Sequence, residues 1–211
     1  MRPLTATDLH DLLDSELVWR RREMTLLVTT IKVADLATRH SLVRAGVPLL
    51  YAHWEGFGRE CFQRYLEHVS YKNLKYKDLQ PSFLYLTSFG KIQEIVKAPA
   101  KTGVKIMPEL AQAYSKVHRN PFRKMIDTKS NLRFSVLEQL CSISGIPISK
   151  FTSDELFIIH DLCDARNEIA HGSASAPSET VFIQRRDKAF SLMTRLQTEI
   201  VNAAVNGSYK I

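Results

Sequence analysis

The sequence predicts an all-α fold, and two observations support this prediction. The 211-residue chain contains only 8 glycines and 8 prolines, so long stretches contain no residue that would interrupt a helix. Along most of these stretches apolar residues recur at spacings of three and four, the period of one face of a helix, and no stretch alternates cleanly as a strand does. We therefore expect a single helical bundle around one core.

The first half of the chain is predicted to contain two long helices followed by a shorter one. The first runs from Thr7 to about His40, and the second from about Ser41 to Val69. Gly46 and Pro48 leave two possibilities open for the second helix. Either it begins just before the proline, or a longer helix kinks there. After a basic, polar break, the shorter helix is expected from about Phe83 to Val96.

The middle of the chain is predicted to contain a loop and two further helices. The stretch "KAPAKTGVK" (97–105) is rich in proline, glycine and lysine and favours a loop. A short helix is expected to follow, with Pro108 at its start. A second helix should run from about Ser130 to Ser144 and end at Gly145, the residue type most common just past a helix terminus.

The last third of the chain is predicted to hold two helices. "TSDE" (152–155) fits a capping box, with Thr152 as N-cap and Glu155 three residues later. The helix that it opens should end at Gly172. A final long helix is expected from about Glu179 to Ala204.

The charge of the chain favours a polyanionic partner. The net charge is +7 and the pI is about 9.4. RNA, DNA or an acidic protein would suit such a surplus, although a mild positive charge also serves solubility alone.

Cysteine usage and hydropathy indicate a soluble cytoplasmic protein without metal or cofactor. Cys61, Cys141 and Cys163 are widely spaced and odd in number, so we expect them to be reduced and buried. No cysteine and histidine cluster has metal-ligand spacing, and no compact carboxylate group suits Mg²⁺. The N-terminus does not resemble a signal peptide, and no apolar run is long enough to cross a bilayer.

The stretch "ARNEIAHG" (165–172) carries the residues with the clearest chemical meaning. At about 100° per residue, the helix has one apolar stripe that contains an arginine and a neighbouring polar stripe that ends in a histidine. The apolar stripe consists of Ile159, Leu162, Cys163, Arg166, Ile169 and Ala170. The polar stripe consists of His160, Asp164, Asn167 and His171.

Two interpretations of this helix are open from the residues alone. A guanidinium can bind a phosphate through two hydrogen bonds, and an imidazole can transfer a proton near neutral pH, so Arg166 and His171 suit phosphodiester chemistry. Asn167, one turn before His171, could orient the imidazole or bind a phosphate oxygen. Alternatively, Arg166 forms a buried salt bridge and His171 only caps the helix.

The same residues resemble the Rx4–6H motif of the HEPN superfamily (higher eukaryotes and prokaryotes nucleotide-binding domains), with Arg166 and His171 as the motif pair. Four further stretches resemble a prokaryotic stand-alone branch of that superfamily, and the resemblance is weakest over 97–123. These stretches are "DLLDSELVWRRREMTLL" (11–27), "LLYAHWEGFGRECFQRYLEHVS" (49–70), "LKYKDLQPSFL" (74–84) and "LQTEIVNAAVNGSY" (196–209).

The resemblance implies one HEPN domain over residues 1–211, with a four-helix core and extra helices inserted at about 72–128. It also implies a metal-independent endoribonuclease that acts as a homodimer, serving as a toxin of a toxin–antitoxin pair or as an effector of phage defence. A partner protein encoded nearby is then expected. The alternative within the superfamily is a non-catalytic module that binds a partner protein, nucleotide or RNA.

Further residues are candidates for supporting roles. Glu55, an acid within an apolar helical face, is a candidate ion-pair partner of Arg166 because each needs an opposite charge if buried. Asp164 is a second supporting candidate on the polar stripe. Basic stretches that include aromatics could guide RNA. Their candidate residues are Arg20, Arg21, Lys75, Lys77, Arg119 and Arg123.

Overall fold

The computed structural model describes residues 2–120 and 125–211, and these residues confirm the all-α prediction. The α-helices are α1 (Ala6–Val33), α2 (Leu36–Ser70), α3 (Pro81–Lys97), α4 (Ala100–Ala113), α5 (Phe134–Ser144), α6 (Ala165–Ala170) and α7 (Glu179–Val205). A π-helical segment, Phe157–Asp164, leads directly into α6. We call the continuous helical segment 155–170 the motif helix. None of the helices in the described ranges combines the length and apolar character needed to cross a membrane.

The core lies between α1, α2, α7 and the motif helix. Helix α2 is the central element, because it packs against all three of the others. Its aromatic side chains Trp54, Phe57 and Phe62 are fully buried, and Phe182 of α7 is also fully buried. Burial of apolar surface is the dominant favourable contribution to folding, and large aromatic rings bury more of it per residue than other side chains.

The boundary between the first two helices differs from the prediction. The first helix does not continue to His40, because the backbone becomes extended at Ala34. Asp35 then caps α2 by accepting hydrogen bonds from the backbone N–H groups of Ala37 and Thr38. An aspartate in this position is a strong start signal for a helix, and it outweighs the continuing apolar period.

Helix α2 runs through Gly46 and Pro48, so the longer of the two alternatives is correct. The glycine has a packing role, because a Cβ atom at this position would lie 2.5 Å from the ring of Phe182. The residue that would be expected to interrupt the helix thus permits the close approach of α2 and α7.

The middle segment is more helical than expected. The predicted loop over 97–105 is wrong: only Ala98 and Pro99 separate α3 from α4, and Pro108 lies inside α4 rather than at its start. Helix α3 packs on α4 and α5. A short connection at Tyr76–Asp78 lies beside the segment that follows α4, through backbone hydrogen bonds.

The last third of the chain confirms most of its predicted boundaries. Gly145 and Gly172 end their helices with φ of 69° and 90°, values that favour glycine. Helix α7 matches the expected range, with Ser178 as its N-cap. The capping box at Thr152 is wrong. The Thr152 hydroxyl donates to a carbonyl upstream, and Asp154 is buried in an ion pair with Arg195 of α7 at 2.9 Å.

Candidate active site

The motif helix departs from α-helical geometry over its first half. In the π-helical segment each N–H bonds to a carbonyl five residues earlier, as Ala165 does to His160. The extra residue per turn changes which side chains face the core. Phe157, Ile158, Leu162 and Cys163 are buried, whereas Ile159 and Arg166 are half-buried and Ala170 is exposed. The predicted apolar stripe is therefore correct only in part.

Arg166 is held against α2 and against the segment before α5. Its guanidinium carbon lies 4.2 Å from the centroid of the Tyr51 ring, and its Nη2 donates to the carbonyl of Ser130 at 2.7 Å. Its Nε is buried and has no hydrogen-bond partner in the described residues. The cation is thus fixed by a ring face and one carbonyl rather than by a carboxylate.

Tyr51, which lies under the Arg166 guanidinium, also binds the segment before α5. The side chain is 3% exposed, and its hydroxyl accepts a hydrogen bond from the backbone N–H of Leu132 at 2.7 Å. The hydroxyl in turn donates to the Asn131 side chain at 3.5 Å. Burial raises the pKa of the Tyr51 phenol well above its usual value, so the hydroxyl stays protonated.

The segment that binds Arg166 has a strained backbone. Lys129 and Ser130 are consecutive non-glycine residues, and both have a φ of 53°, in the left-handed region. Such residues cost on the order of 1–3 kcal/mol each and persist only where their surroundings impose them. Here the side chain of Asp127 accepts the Lys129 N–H at 2.8 Å, while Ser130 directs its carbonyl to Arg166.

The expected ion pair between Glu55 and Arg166 is not formed. The Glu55 carboxylate is half-buried and accepts a hydrogen bond from the Thr128 hydroxyl at 2.5 Å. Because Thr128 comes just before the strained pair, Glu55 fixes the start of the segment whose carbonyl binds Arg166. The two residues are connected through this backbone and not through a direct salt bridge.

Asp164 fastens the motif helix to α5. One carboxylate oxygen lies 2.7 Å from Arg133 Nη2, and the other lies 3.1 Å from Nδ1 of His160. Asp161 forms a second ion pair, with Arg185 of α7 at 2.7 Å. These two ion pairs connect the motif helix to α5 and to α7.

His171 ends the motif helix in a different environment from Arg166. It follows the last residue of α6, and its side chain is exposed. Within residues 2–120 and 125–211, neither its imidazole nor the half-buried Asn167 side chain has a hydrogen-bond partner. Arg44 of α2 holds the chain just beyond it by donating two hydrogen bonds, at 2.8 and 3.1 Å, to the Ser173 carbonyl.

The arrangement combines a fixed cation with an exposed imidazole. Arg166 and His171 are five residues apart on a regular helical turn, about 140° around the axis. One helix therefore directs them toward different sides. The described part of the chain brings together no group of three or more His, Cys, Asp or Glu side chains that could hold a metal ion.

A comparison with known protein families identifies the fold. The family model RiboL-PSP-HEPN matches residues 15–202, which include every site residue described above. The chain belongs to the RiboL-PSP-HEPN family. Membership of the HEPN superfamily indicates an RNase or nucleotide-binding module, and HEPN domains often dimerise. Comparisons with curated proteins and with solved structures gave no match.

One basic residue expected to bind RNA lies in the interior of the HEPN domain. Arg20 is 5% exposed, and its Nη1 donates to the Glu16 carboxylate at 2.5 Å. Its guanidinium lies over the rings of Trp19 and Phe57, at 4.3 and 5.7 Å. The prediction that Arg20 belongs to an RNA-binding surface is therefore wrong, because the side chain is occupied between α1 and α2.

The other basic candidates of the HEPN domain are exposed where they are described. Lys75, Lys77 and Arg119 lie on adjacent segments, since the Tyr76 N–H donates to the Lys116 carbonyl at 3.0 Å. This pairing adds Lys116, which sequence reasoning missed, to one basic surface. Arg21 lies elsewhere, on α1, where it donates to Thr194 of α7 at 2.6 Å. Arg123 lies outside the described residues.

Sequence reasoning missed Tyr51, Arg44 and Ser130. Tyr51 lies one helical turn before Glu55 on α2, so the two side chains share a face of the helix. The choice of Glu55 as a candidate could therefore have led to Tyr51 as well. Nothing in the local sequence signals that the Ser130 carbonyl would bind Arg166, because a backbone contact across 36 residues leaves no residue pattern.

The three cysteines are free and buried, as expected.

Proposed function

We propose that this HEPN protein is an endoribonuclease that cleaves RNA by attack of the substrate's own 2′-hydroxyl, without a metal ion. The observation that supports it most directly is the combination, in a single helix, of a rigidly held Arg166 with a His171 whose imidazole has no partner among the described residues. RNA supplies the nucleophile, so the protein has to supply only a proton acceptor, a proton donor and a cation.

Arg166 is the proposed phosphate-binding group. Its planar fork can donate two parallel hydrogen bonds to phosphate oxygens and neutralise the charge that develops on the pentacoordinate phosphorus. Stacking on Tyr51 and the bond to Ser130 hold the fork in place before substrate arrives. Such preorganisation lowers the cost of stabilising the transition state.

His171 is the proposed proton-transfer group, with Asn167 orienting it or binding a phosphate oxygen. A neutral imidazole takes the proton of the 2′-hydroxyl while the 2′-oxygen bonds to phosphorus. A protonated imidazole gives a proton to the 5′-oxygen as the P–O5′ bond breaks. The products are a 2′,3′-cyclic phosphate and a 5′-hydroxyl.

A homodimer supplies both imidazoles to one cleft. Arg166 and His171 diverge by about 140° around one helix, so they cannot easily bind one phosphate within a single chain. A two-fold axis beside the motif helix would bring the arginine of each chain toward the histidine of its partner. Leu156, at the start of the motif helix, is 70% exposed and would be covered by such pairing.

The remaining basic residues are proposed to guide the substrate. Lys75, Lys77 and Arg119, together with Lys116, would bind backbone phosphates without regard to sequence. Arg21, and Arg123 outside the described residues, could extend this surface. Glu55 and Asp164 act indirectly, by fixing the segment that binds Arg166 and the position of the motif helix.

The proposed biological setting is a toxin–antitoxin or phage-defence locus. A metal-independent RNase that needs only RNA and water-accessible histidines would be harmful to its own cell unless it were held in check. A neutralising or activating partner protein encoded beside it is therefore part of the proposal. The +7 charge of the chain would suit an acidic partner that competes with RNA.

The test is cleavage of a defined RNA by the purified chain and by two histidine variants. His171→Ala should reduce the rate roughly 10²- to 10⁴-fold, the usual contribution of a general acid or base. The control is His10→Ala, because the His10 side chain is 53% exposed on α1 and lies outside the site. Equal rates for the two variants, or products with a 3′-hydroxyl, would contradict the mechanism.

A further inference from the structure

A cavity of about 710 Å³ opens between α3, α5 and the segment before α5. Its interior is mainly apolar, with Leu86 of α3 and Val136 and Leu140 of α5 on its walls. Ligand-binding pockets for small molecules typically measure about 300–1,000 Å³. The cavity is therefore large enough for a nucleoside, and the site described above makes no use of it.

The cavity shares one wall with the anchor of Arg166. Asp127 and Lys129 line it, and the next residue, Ser130, binds the Arg166 guanidinium through its carbonyl. Consecutive Cα atoms lie about 3.8 Å apart, so the rim of the cavity is within a few residue lengths of the proposed phosphate site. The cavity wall at Lys129 and the Ser130 carbonyl that binds Arg166 thus belong to consecutive residues of the strained pair.

The residues that line the cavity include groups suited to recognising a nucleobase. Tyr85 and Phe89 form an aromatic pair with ring centroids 5.4 Å apart, and Tyr85 is 48% exposed. Exposed aromatic rings of this kind are the usual stacking surface for unpaired bases. Gln139, whose amide offers both donors and an acceptor, and Lys129 also line the cavity, with Nζ of the lysine 3.4 Å from the amide oxygen.

We propose that this cavity binds one unpaired base of the RNA substrate, the base next to the cleaved phosphate, and so determines the sequence preference of cleavage. The proposal rests on the proposed RNase function and adds a recognition site to it. The base would stack on Tyr85 while its edge faces Gln139 and the Asp127–Lys129 wall. Arg166, on the far side of Ser130, would bind the adjoining phosphate.

The experiment compares cleavage of short RNAs that differ only in the base on either side of the cut. Wild type should prefer one base at one of these positions. Tyr85→Ala should lower kcat/KM for the preferred RNA roughly 5- to 150-fold, the equivalent of one lost base–aromatic stack, and should do so mainly through KM. Tyr85→Phe keeps the ring and should retain the preference. Ser142→Trp, at an exposed position on the cavity wall, should obstruct the cavity and abolish the base preference.

The matched control is Tyr114→Ala, because Tyr114 is 50% exposed at the end of α4 and does not line the cavity. It should leave the preference and KM unchanged. Equal effects of Tyr85→Ala and Tyr114→Ala would overturn the proposal. So would an unchanged base preference in both Tyr85→Ala and Ser142→Trp. Binding of free nucleoside monophosphates at Tyr85, without any effect on RNA preference, would overturn it as well.

A second measurement separates this proposal from the proposed function. RNAs with a 2′-deoxy sugar at the cleavage position cannot supply the nucleophile, so fluorescence anisotropy measures their binding independently of catalysis. If wild type cleaves no RNA but binds these probes with a base preference that Tyr85→Ala removes, the RNase mechanism fails, and base recognition by the cavity stands without its role in cleavage. Cleavage without any base preference would leave the RNase mechanism standing and overturn the cavity proposal.

Discussion

Removing the Tyr51 hydroxyl should destabilise the protein while leaving the Arg166 platform in place. In Tyr51→Phe the buried N–H of Leu132 loses its acceptor, which lies at 2.7 Å in the native protein. An orphaned buried donor costs about 1–3 kcal/mol. For a chain of this size each kcal/mol lowers Tm by about 2–4 °C, so the expected decrease is about 2–12 °C. Thermal unfolding followed by circular dichroism measures it.

The aromatic ring should matter for cleavage in a way that the hydroxyl does not. Tyr51→Leu loses the ring 4.2 Å from the Arg166 guanidinium, a contact worth about 0.5–2 kcal/mol. We therefore expect kcat to fall further in Tyr51→Leu than in Tyr51→Phe, when both are assayed well below their Tm.

Tyr65→Phe is the matched control on the same helix. Tyr65 is fully buried, and its hydroxyl has no partner in the described part of the chain, so its removal should leave Tm unchanged or raise it. Equal stability of Tyr51→Phe and Tyr65→Phe would refute the role of the Tyr51 hydroxyl as acceptor for Leu132. Equal losses of kcat in Tyr51→Leu and Tyr51→Phe would refute the role of the Tyr51 ring in holding Arg166.

Four further outcomes are expected. Mixing equal amounts of Arg166→Ala and His171→Ala chains should restore cleavage above that of either variant alone, because half of random dimers are mixed and each brings the arginine of one chain to the histidine of the other. The rate should stay below about a quarter of wild type, since a mixed dimer holds one His171 imidazole instead of two; a monomeric mass by light scattering with full cleavage would contradict this. Cleavage should survive EDTA, and a rate that chelation abolishes and Mg²⁺ restores would exclude the mechanism. Expression of wild type should slow growth, and His171→Ala should relieve it at equal soluble levels; equal toxicity would count against this motif. Burial raises the pKa of Cys163 to about 11 and of Cys141 to about 12, so iodoacetamide at pH 8 should modify neither thiol until the chain unfolds, as mass spectrometry would show.

The sequence predicts the elements of the fold better than it predicts the contacts of the site. Gly172, the long helix beginning at Glu179 and the helical context of Arg166 all follow from local signals, because caps and apolar spacing act over a few residues. The loop prediction at 97–105 fails because it, too, relied on local signals alone. Proline and glycine are local signals for a loop, but apolar side chains of α4 such as Ile106 pack well enough to keep the segment helical.

Arg20 shows where the sequence carries a signal that basic neighbours obscure. The buried face of α1 runs through Leu13, Leu17 and Met24, and Arg20 fits their three–four spacing. Grouping it with Arg21 and Arg22 as one charged stretch hides that position. Glu55, by contrast, cannot be placed from spacing, because its partner Thr128 lies 73 residues away in a strained turn.

The length of α2 has a consequence for the order in which the site is assembled during synthesis. Arg44, Tyr51 and Glu55 belong to a helix that ends at Ser70, whereas Arg166 and His171 follow almost a hundred residues later. At roughly 5–20 residues per second, the ribosome completes the receiving helix about 5–20 s before the motif emerges. The bundle closes only when α7 docks on α2, a contact between distant parts of the chain. A nascent chain therefore carries the α2 half of the site without Arg166 or His171. On the proposed mechanism it cannot cleave the RNA of its own ribosome until the last helix has docked.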